Sequence, residues 1–147
     1  MTGRRPRALY PHLFVSDAAR AAAFYRDAFG AAELFRNTLP SGSVLLLELA
    51  VGEGRLLLSD ETPSLAALAP ATVGGTPVLL TIEVEDVDGV AELAIAAGAE
   101  VEIPVQEMFW GERYGVLRDP FGHRWALCTV REELSPDEIQ RRTPPSV

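Results

Sequence analysis

The chain has 147 residues, 48% of them hydrophobic, which suits one domain with its own core. Thirteen Lys and Arg residues against 21 Asp and Glu residues give a formal net charge of −8. This charge argues against a nucleic-acid-binding surface or an anionic membrane as a partner, and no apolar run approaches the ~18 residues of a membrane span. With one cysteine and two histidines, the chain is poor in soft metal ligands, and we expect a cytoplasmic protein.

Two segments of the sequence follow one plan at an offset of 69 positions (82 minus 13). LFVSDAARAAAFYRDAFGAAE starts at position 13, and IEVEDVDGVAELAIAAGAE starts at position 82. Each reads as a strand followed by an amphipathic helix with apolar residues at i, i+3, i+4 and i+7. Asp17 and Asp86 are placed to cap the two helices, and Gly30 and Gly98 are placed to end them. The sequence therefore predicts an internal repeat.

Three apolar segments separated by turns follow each helix, at 32–38, 43–51 and 55–59 and again at 100–105, 115–119 and 124–130. The predicted fold class is α+β, with two βαβββ modules whose mixed sheets curl around a cup. We place the modules at 8–60 and 77–131, joined by a linker at 61–76, within a single domain that spans 1–147. A capping box beginning at Ser135, with Pro136 at the first helical position, predicts a short helix over 135–142.

The strand that opens each module has one apolar face and one mixed face. Leu9, Pro11, Leu13 and Val15 alternate on one side of the first strand, as do Val78, Leu80, Ile82 and Val84 in the second, and these rows are predicted to pack under the helices. The opposite sides carry Tyr10, His12 and Phe14, and Leu79, Thr81 and Glu83. A concave, mostly apolar surface with a few polar groups is typical of a small-molecule site. We therefore expect these mixed faces to line the cup.

With this plan in view, the sequence resembles the vicinal oxygen chelate superfamily, which includes glyoxalase I, the bleomycin-resistance proteins and the extradiol dioxygenases. The resemblance covers the chain from Tyr10 to about Arg142. AAAFYRDAFGAAELFR at 21–36, EDVDGVAELAIAAGAEV at 85–101 and MFWGERYGVLRDPFGHRW at 108–125 are similar to the glyoxalase-like subgroup often labelled PhnB-like. The resemblance implies the glyoxalase/bleomycin-resistance fold, a small organic ligand, and a homodimer whose cups are completed by both chains.

Metal enzymes of this superfamily hold one divalent ion with a His, Gln or Glu from each of four strands. By register, the resemblance puts these positions at Tyr10, Leu57, Leu79 and Ala126, with Ser59 replacing Leu57 if the register slips by two residues. Leucine, alanine and serine offer no lone pair suited to a transition metal, and Tyr10 alone would need a much lowered pKa. We therefore predict that the protein has no metal site and no cofactor.

His12 and Glu83 are the candidates for acid–base chemistry. His12 lies two residues from Tyr10 and should face the cup, either as a ligand contact or as a histidine hydrogen-bonded inside a barrel. Glu83 could orient His12 or act as a base, or it could be solvated at its strand end. Glu48 stands among leucines, so alternation does not decide its face. His123 belongs to the DPFGHRW turn and is predicted to lie outside the cup.

A loop rich in aromatic residues follows the predicted strand at 100–105. We call it the aromatic loop, and it contains Phe109, Trp110, Arg113 and Tyr114. Its aromatic and hydrogen-bonding side chains could stack on a flat or cationic ligand and clamp a carboxylate or hydroxyl, or Trp110 could pack against the core. Cys128 shares the parity of Ala126 and is predicted to be an inert buried thiol. The complete set of predicted ligand contacts is Tyr10, His12, Phe14, Thr81, Phe109, Trp110, Arg113 and Tyr114.

The leading hypothesis is a metal-independent small-molecule-binding protein of the glyoxalase/bleomycin-resistance type, able to sequester an antibiotic or another organic ligand. The alternative is an isomerase or lyase in which His12 and Glu83 perform acid–base chemistry on a substrate enolate. In that case Arg113 or Tyr114 would stabilise the oxyanion. The residues alone leave open whether the protein is an enzyme.

Overall fold

The computed structural model describes residues 2–147. These residues form two compact units that divide between Gly74 and Gly75. Each unit contains one four-stranded sheet. The division falls within the segment 61–76 that separates the two predicted modules.

The first unit opens with a 3-10 turn at Thr2–Arg4 and continues with β1 (His12–Val15), α1 (Ala18–Phe29), β2 (Ala32–Thr38), β3 (Val44–Val51), β4 (Gly54–Asp60), a 3-10 turn at Pro63–Leu65 and the short helix α2 (Pro70–Val73). Its strand order is β1-β4-β3-β2. β1 runs parallel to β4, and the other neighbours are antiparallel. The parallel pair requires a crossover, which α1 and the two strands after it provide.

The second unit repeats this plan with β5 (Leu79–Glu83), α3 (Val87–Ala96), β6 (Glu100–Glu107), β7 (Glu112–Arg118), β8 (Arg124–Val130) and α4 (Pro136–Arg142). Its strand order is β5-β8-β7-β6, with β5 parallel to β8. The predicted α+β class with a βαβββ unit in each half is therefore confirmed. None of the helices within residues 2–147 is long and apolar enough to cross a bilayer.

The N-caps predicted for the two long helices are present, whereas α3 has its C-cap at Ala97, one residue before the predicted Gly98. Asp17 accepts a hydrogen bond from the Arg20 backbone N–H at 3.0 Å, and Asp86 accepts one from the Gly89 N–H at 3.1 Å. Gly30 ends α1 with φ of 69°, in the left-handed region that favours glycine. These contacts satisfy N–H and C=O groups that a helix end leaves without partners.

A second hydrogen bond at the start of each helix recurs at the same 69-residue offset. The backbone N–H of Ala18 donates to the Asp60 carboxylate at 2.7 Å, and that of Val87 donates to the Thr129 hydroxyl at 3.0 Å. Asp60 and Thr129 stand at or near the ends of the last strands of their modules. A side chain of the sheet therefore fixes where each helix begins.

The core of each unit lies between the sheet and its long helix. In the first unit, Tyr25 of α1 and Leu47 and Leu58 of the sheet are fully buried. In the second, Ala94 of α3 and Leu127 of β8 are fully buried. Alternation along the strands therefore directs one apolar row in each sheet toward the helix, and the opposite face remains for other contacts.

The opening strands start later than the alternation predicts. Leu9 is 93% exposed and Pro11 is exposed, so the expectation that both pack under the helix is wrong. Proline has no backbone N–H for the ladder, and here its carbonyl accepts one bond from the Leu57 N–H at 3.0 Å before β1 begins at His12. Val78 is likewise 53% exposed and precedes β5.

Candidate functional site

One row of side chains crosses the sheet of the first unit on the face away from α1. His12 pairs with Leu57, Leu57 pairs with Glu48, and Glu48 pairs with Phe35. Residues that pair directly across strands point to the same face, whereas the buried Leu58 points toward α1. We call the face that carries His12 the α1-distal face. Glu48, whose face the sequence pattern left open, lies on it.

His12 is held by a buried serine of the neighbouring strand. Its Nε2 atom is 2.7 Å from the Ser59 hydroxyl oxygen, and that hydroxyl donates to the Leu45 carbonyl at 2.7 Å. The imidazole also contacts the Phe14 ring, with centroids 4.8 Å apart. Burial lowers the pKa of His12 from its ordinary value of 6.5. The neutral imidazole is therefore the favoured form at physiological pH.

Tyr10 lies just before β1 and is 43% exposed. The Arg55 guanidinium is 5.2 Å from the centre of its ring, a cation–π distance. Arg55 also lies 3.8 Å from the Glu48 carboxylate. Arg55 therefore links Tyr10 to the row that contains His12.

The second sheet has a comparable face away from α3, which we call the α3-distal face. Thr81 pairs with Ala126, and Glu83 pairs with Cys128, which in turn pairs with Tyr114. Thr81 and Glu83 are exposed, while Ala126 and Cys128 are buried. Three of these residues, Thr81, Glu83 and Tyr114, were predicted to contribute to ligand binding or acid–base chemistry, and the structure brings them to one face.

The aromatic loop is assembled by contacts within the second unit. The Trp110 ring lies edge-on to Phe109 at 5.0 Å and to Tyr114 at 5.2 Å, and its indole N–H donates to the Glu112 carboxylate. The Gly111 carbonyl accepts from the backbone N–H groups that follow β8, at 2.8 and 3.0 Å. The loop is therefore docked in place. Tyr114, which was predicted to belong to the loop, lies in β7 and forms one cluster with Phe109 and Trp110.

Arg113 lies on the opposite face of its strand from Tyr114. Its guanidinium donates to both carboxylate oxygens of Asp88 on α3, at 2.7 and 2.9 Å, and lies 3.6 Å from Glu107. Asp88 and Arg113 stabilise each other's charged forms, which lowers the pKa of Asp88 and raises that of Arg113. The structure does not bring Arg113 together with the aromatic cluster.

Two surface pockets that share Val130 and Glu133 lie in the second unit, and Trp110 of the aromatic cluster lines one of them. The larger, about 530 Å³, is lined by Trp110, Glu112, Val130, Glu132, Glu133, Leu134 and Ile139. The other, about 460 Å³, is lined by Glu83, Val84, Glu85, Thr129, Val130 and Glu133. Sequence reasoning missed Glu112 and the residues after β8. For Glu112 a signal existed, because it stands two residues from both Trp110 and Tyr114 and so shares a strand face with Tyr114.

Two ionisable groups on the α3-distal face are held in their neutral forms. Burial, with Glu112 and Glu83 nearby, raises the pKa of the Cys128 thiol to about 12. Burial also raises the pKa of Tyr114, with smaller contributions from Cys128 and Glu112. Only the thiolate is a good nucleophile, so Cys128 is not equipped for covalent catalysis. Tyr114 remains a phenol that can donate a hydrogen bond.

His123 is a buried part of the turn between β7 and β8. Its backbone N–H donates to the Asp119 carboxylate at 3.0 Å, and its carbonyl accepts from the Asp119 N–H at 2.8 Å. The same carboxylate accepts from the Trp125 indole at 2.8 Å. His123 thus lies within the turn that Asp119 organises, and it is separated by three residues from Ala126 on the α3-distal face.

The positions that would hold a divalent ion do not fit one. Leu57, Leu79 and Ala126 have no donor atoms in their side chains, which leaves Tyr10 as the one oxygen ligand of the four. Within residues 2–147, no group of three or more His, Cys, Asp and Glu side chains is arranged to hold a metal ion.

Sequence comparison connects the chain to one superfamily. A family model described as the Glyoxalase/Bleomycin resistance protein/Dioxygenase superfamily matches residues 7–127. The chain is also 42% identical over 136 residues to the uncharacterized protein Mb0911c of Mycobacterium bovis, and the match covers 90% of each.

Solved structures have the same fold. A glyoxalase/bleomycin resistance protein/dioxygenase family enzyme from Burkholderia phytofirmans is 27% identical, with a TM-score of 0.67 over 82% of this chain and 96% of that one. The fosfomycin resistance protein FosX of Listeria monocytogenes, solved with Mn(II) and sulfate, is 18% identical, with a TM-score of 0.68 over 94% of this chain and 98% of that one. The second likeness concerns the fold alone.

Proposed function

Because the chain belongs to the Glyoxalase/Bleomycin resistance protein/Dioxygenase superfamily, we propose that it is a small-molecule-binding protein that holds an organic ligand without a divalent metal. The observation that carries this proposal is the aromatic cluster of Phe109, Trp110 and Tyr114 beside a pocket of about 530 Å³. Three of the four positions that hold the ion in metal enzymes of this superfamily are occupied here by Leu57, Leu79 and Ala126, whose side chains are aliphatic. Ligand binding here depends on apolar burial and hydrogen bonds.

The apolar side chains of the pocket, Trp110, Val130, Leu134 and Ile139, favour a ligand with an apolar or aromatic part, and the three glutamates beside them offer hydrogen-bond acceptors. Trp110 is half-buried, so it retains surface that a ligand can cover. Burial and stacking on such a ring are worth about 1–3 kcal/mol. Tyr114 adds a neutral hydroxyl, and His12 adds a neutral imidazole in the first unit. We propose that Tyr10, Phe14 and Thr81 complete the contacts, whereas Arg113 is left out because Asp88 already engages it.

A second candidate function is acid–base catalysis, as an isomerase or lyase. It is favoured by the lowered pKa of His12, which leaves a basic nitrogen available at neutral pH. Glu83 is the second candidate base, and Tyr114, kept neutral, is the candidate donor to an oxyanion.

We also propose a subgroup, an oligomeric state and a cellular location for the protein. The run MFWGERYGVLRDPFGHRW supports the PhnB-like subgroup. The exposed apolar side chains of β2, Leu34 at 51% and Phe35 at 50%, support a homodimer, because an edge strand with such a surface is usually covered. The single cysteine, which cannot form an internal disulfide, supports a cytoplasmic location.

A thermal-shift screen in the presence of EDTA tests the proposed function. The panel contains natural-product antibiotics and aromatic compounds that carry hydroxyl or amine groups. We expect at least one compound to raise the melting temperature, because a ligand that binds only the folded state stabilises it. A panel in which compounds act only after a divalent metal is added would contradict the proposal.

Variants then locate the binding site. Trp110→Ala should weaken a hit by about 1–3 kcal/mol in calorimetry, through lost burial and stacking. His123→Ala removes another ring, but one within the turn, and should leave the affinity nearly unchanged. A large loss at His123 with none at Trp110 would show that the turn and the pocket had been assigned the wrong way round.

A further inference from the structure

We propose that Ser59 is a positioning residue that fixes the tautomer of His12, so that Nδ1 is the nitrogen offered to the ligand as a hydrogen-bond acceptor. The orienting role rests on the proposed function, since it requires that a ligand reach the α1-distal face. The tautomer itself follows from three hydrogen-bonding groups on three adjacent strands: His12 on β1, Ser59 on β4 and Leu45 on β3.

The direction of this hydrogen-bond chain is set at its far end. The Leu45 carbonyl can only accept a hydrogen bond, so the Ser59 hydroxyl, 2.7 Å away, donates its single proton to that carbonyl. Toward His12, also at 2.7 Å, the same oxygen can then act only as an acceptor. The proton must therefore reside on Nε2 of His12. Within residues 2–147, no hydrogen bond is made to Nδ1, which is left as the free lone pair of the neutral ring.

The sheet holds this chain in place. β4 lies between β1 and β3, so a side chain at Ser59 can reach both neighbours. Ser59 is 7% exposed, which keeps water from competing for its hydroxyl. The Phe14 ring, 4.8 Å from the imidazole, packs beside it and restricts its rotation. Losing the hydroxyl would leave the Nε2 proton without this partner.

The consequence is a preference in ligand chemistry. A lone pair at Nδ1 pairs with a hydroxyl, an amine or an amide N–H, or removes a proton from an acidic C–H group. A carboxylate at the same place would be disfavoured while His12 is neutral, because the carboxylate and the bare Nδ1 are both hydrogen-bond acceptors. The ligand class inferred for this part of the site is therefore one that presents a hydrogen-bond donor.

The tautomer can be read directly from the ligand-free full chain. Two-bond ¹H–¹⁵N correlation spectra at about pH 8, above the ordinary histidine pKa of ~6.5, report each ring nitrogen as protonated or bare. We expect one tautomer for wild-type His12, with bare Nδ1 and protonated Nε2. In Ser59→Ala the two nitrogen shifts should move toward each other, because both tautomers become populated. His12→Gln assigns the signals.

Two further variants control this experiment. Ser59→Thr retains a hydroxyl and should restore the wild-type nitrogen shifts, while Ser64→Ala removes an exposed serine hydroxyl and should leave them unchanged. Averaged shifts or a protonated Nδ1 in the wild type would overturn the proposal, and so would wild-type shifts in Ser59→Ala. If Ser59→Ala does not fold, the wild-type spectrum alone decides. Because no ligand is present, a failed ligand screen would leave this result intact.

Discussion

At the residue scale, the protonation of His12 links the partial desolvation of its ring to the stability of the fold. Its folded pKa is below the ordinary 6.5, so between these two values the unfolded chain binds more protons than the folded one. The free energy of unfolding should therefore fall as the pH drops below about 6.5. We expect the His12 ring signal in an NMR titration to have its midpoint below that value. A midpoint at or above it would contradict the burial argument.

Cys128 provides a second test at this scale. Its thiol is 3% exposed and has a pKa of about 12, so almost no thiolate exists at neutral pH. We expect iodoacetamide at about pH 8 to leave the folded protein unmodified and to alkylate the unfolded chain in guanidinium fully. Rapid alkylation without denaturant would mean that the thiol is accessible and ionised.

Alternation along a strand predicted the faces of His12 and Thr81 because it needs only a local rule. The same rule could not place Glu48, which has leucines on both sides, and the strand pairing decided it. Arg113 was predicted as a ligand contact from its residue type. Its partner Asp88 lies on a helix 25 positions earlier, a contact that local pattern does not reveal.

At the element scale, the aromatic loop depends on Gly111. Its φ is 94°, and a Cβ there would meet the Glu132 carbonyl and the Leu134 side chain. Gly111→Ala should therefore lower the free energy of unfolding by about 2 kcal/mol or more, from backbone strain and steric conflict. Urea denaturation followed by tryptophan fluorescence measures the change.

Gly42 is the matched control, because it has a φ of 95° but nothing within 4 Å of an added Cβ. Gly42→Ala should show the backbone strain alone and cost about 1 kcal/mol. Equal losses at the two sites would mean that the loop is not docked against the residues after β8.

The order of elements was predictable because repeats, caps and turn residues are local signals. The start of β1 was not, since it depends on where β4 supplies partners and on the missing N–H of Pro11. The 3-10 turn and α2 within the linker were missed for a similar reason. Short helices of this kind are built around prolines and small residues that also mark loops.

At the scale of the whole molecule, the proposed homodimer should be measurable by light scattering at micromolar concentration, with a mass of two chains. Leu34→Glu puts a charge on the exposed apolar edge strand β2 and should produce monomers. Leu65→Glu, at a 74% exposed position in a 3-10 turn, should leave the dimer intact. A monomeric wild-type protein would contradict the proposed homodimer.

The central claim is that an organic ligand binds without a divalent metal. It is tested most directly by calorimetric titration of one compound from the thermal-shift screen into the protein, first in EDTA and then with excess Mn²⁺ or Zn²⁺. We expect the same affinity in both conditions, because Leu57, Leu79 and Ala126 supply no ligand atoms at the family's metal positions. Binding that appears only when metal is present would contradict the claim.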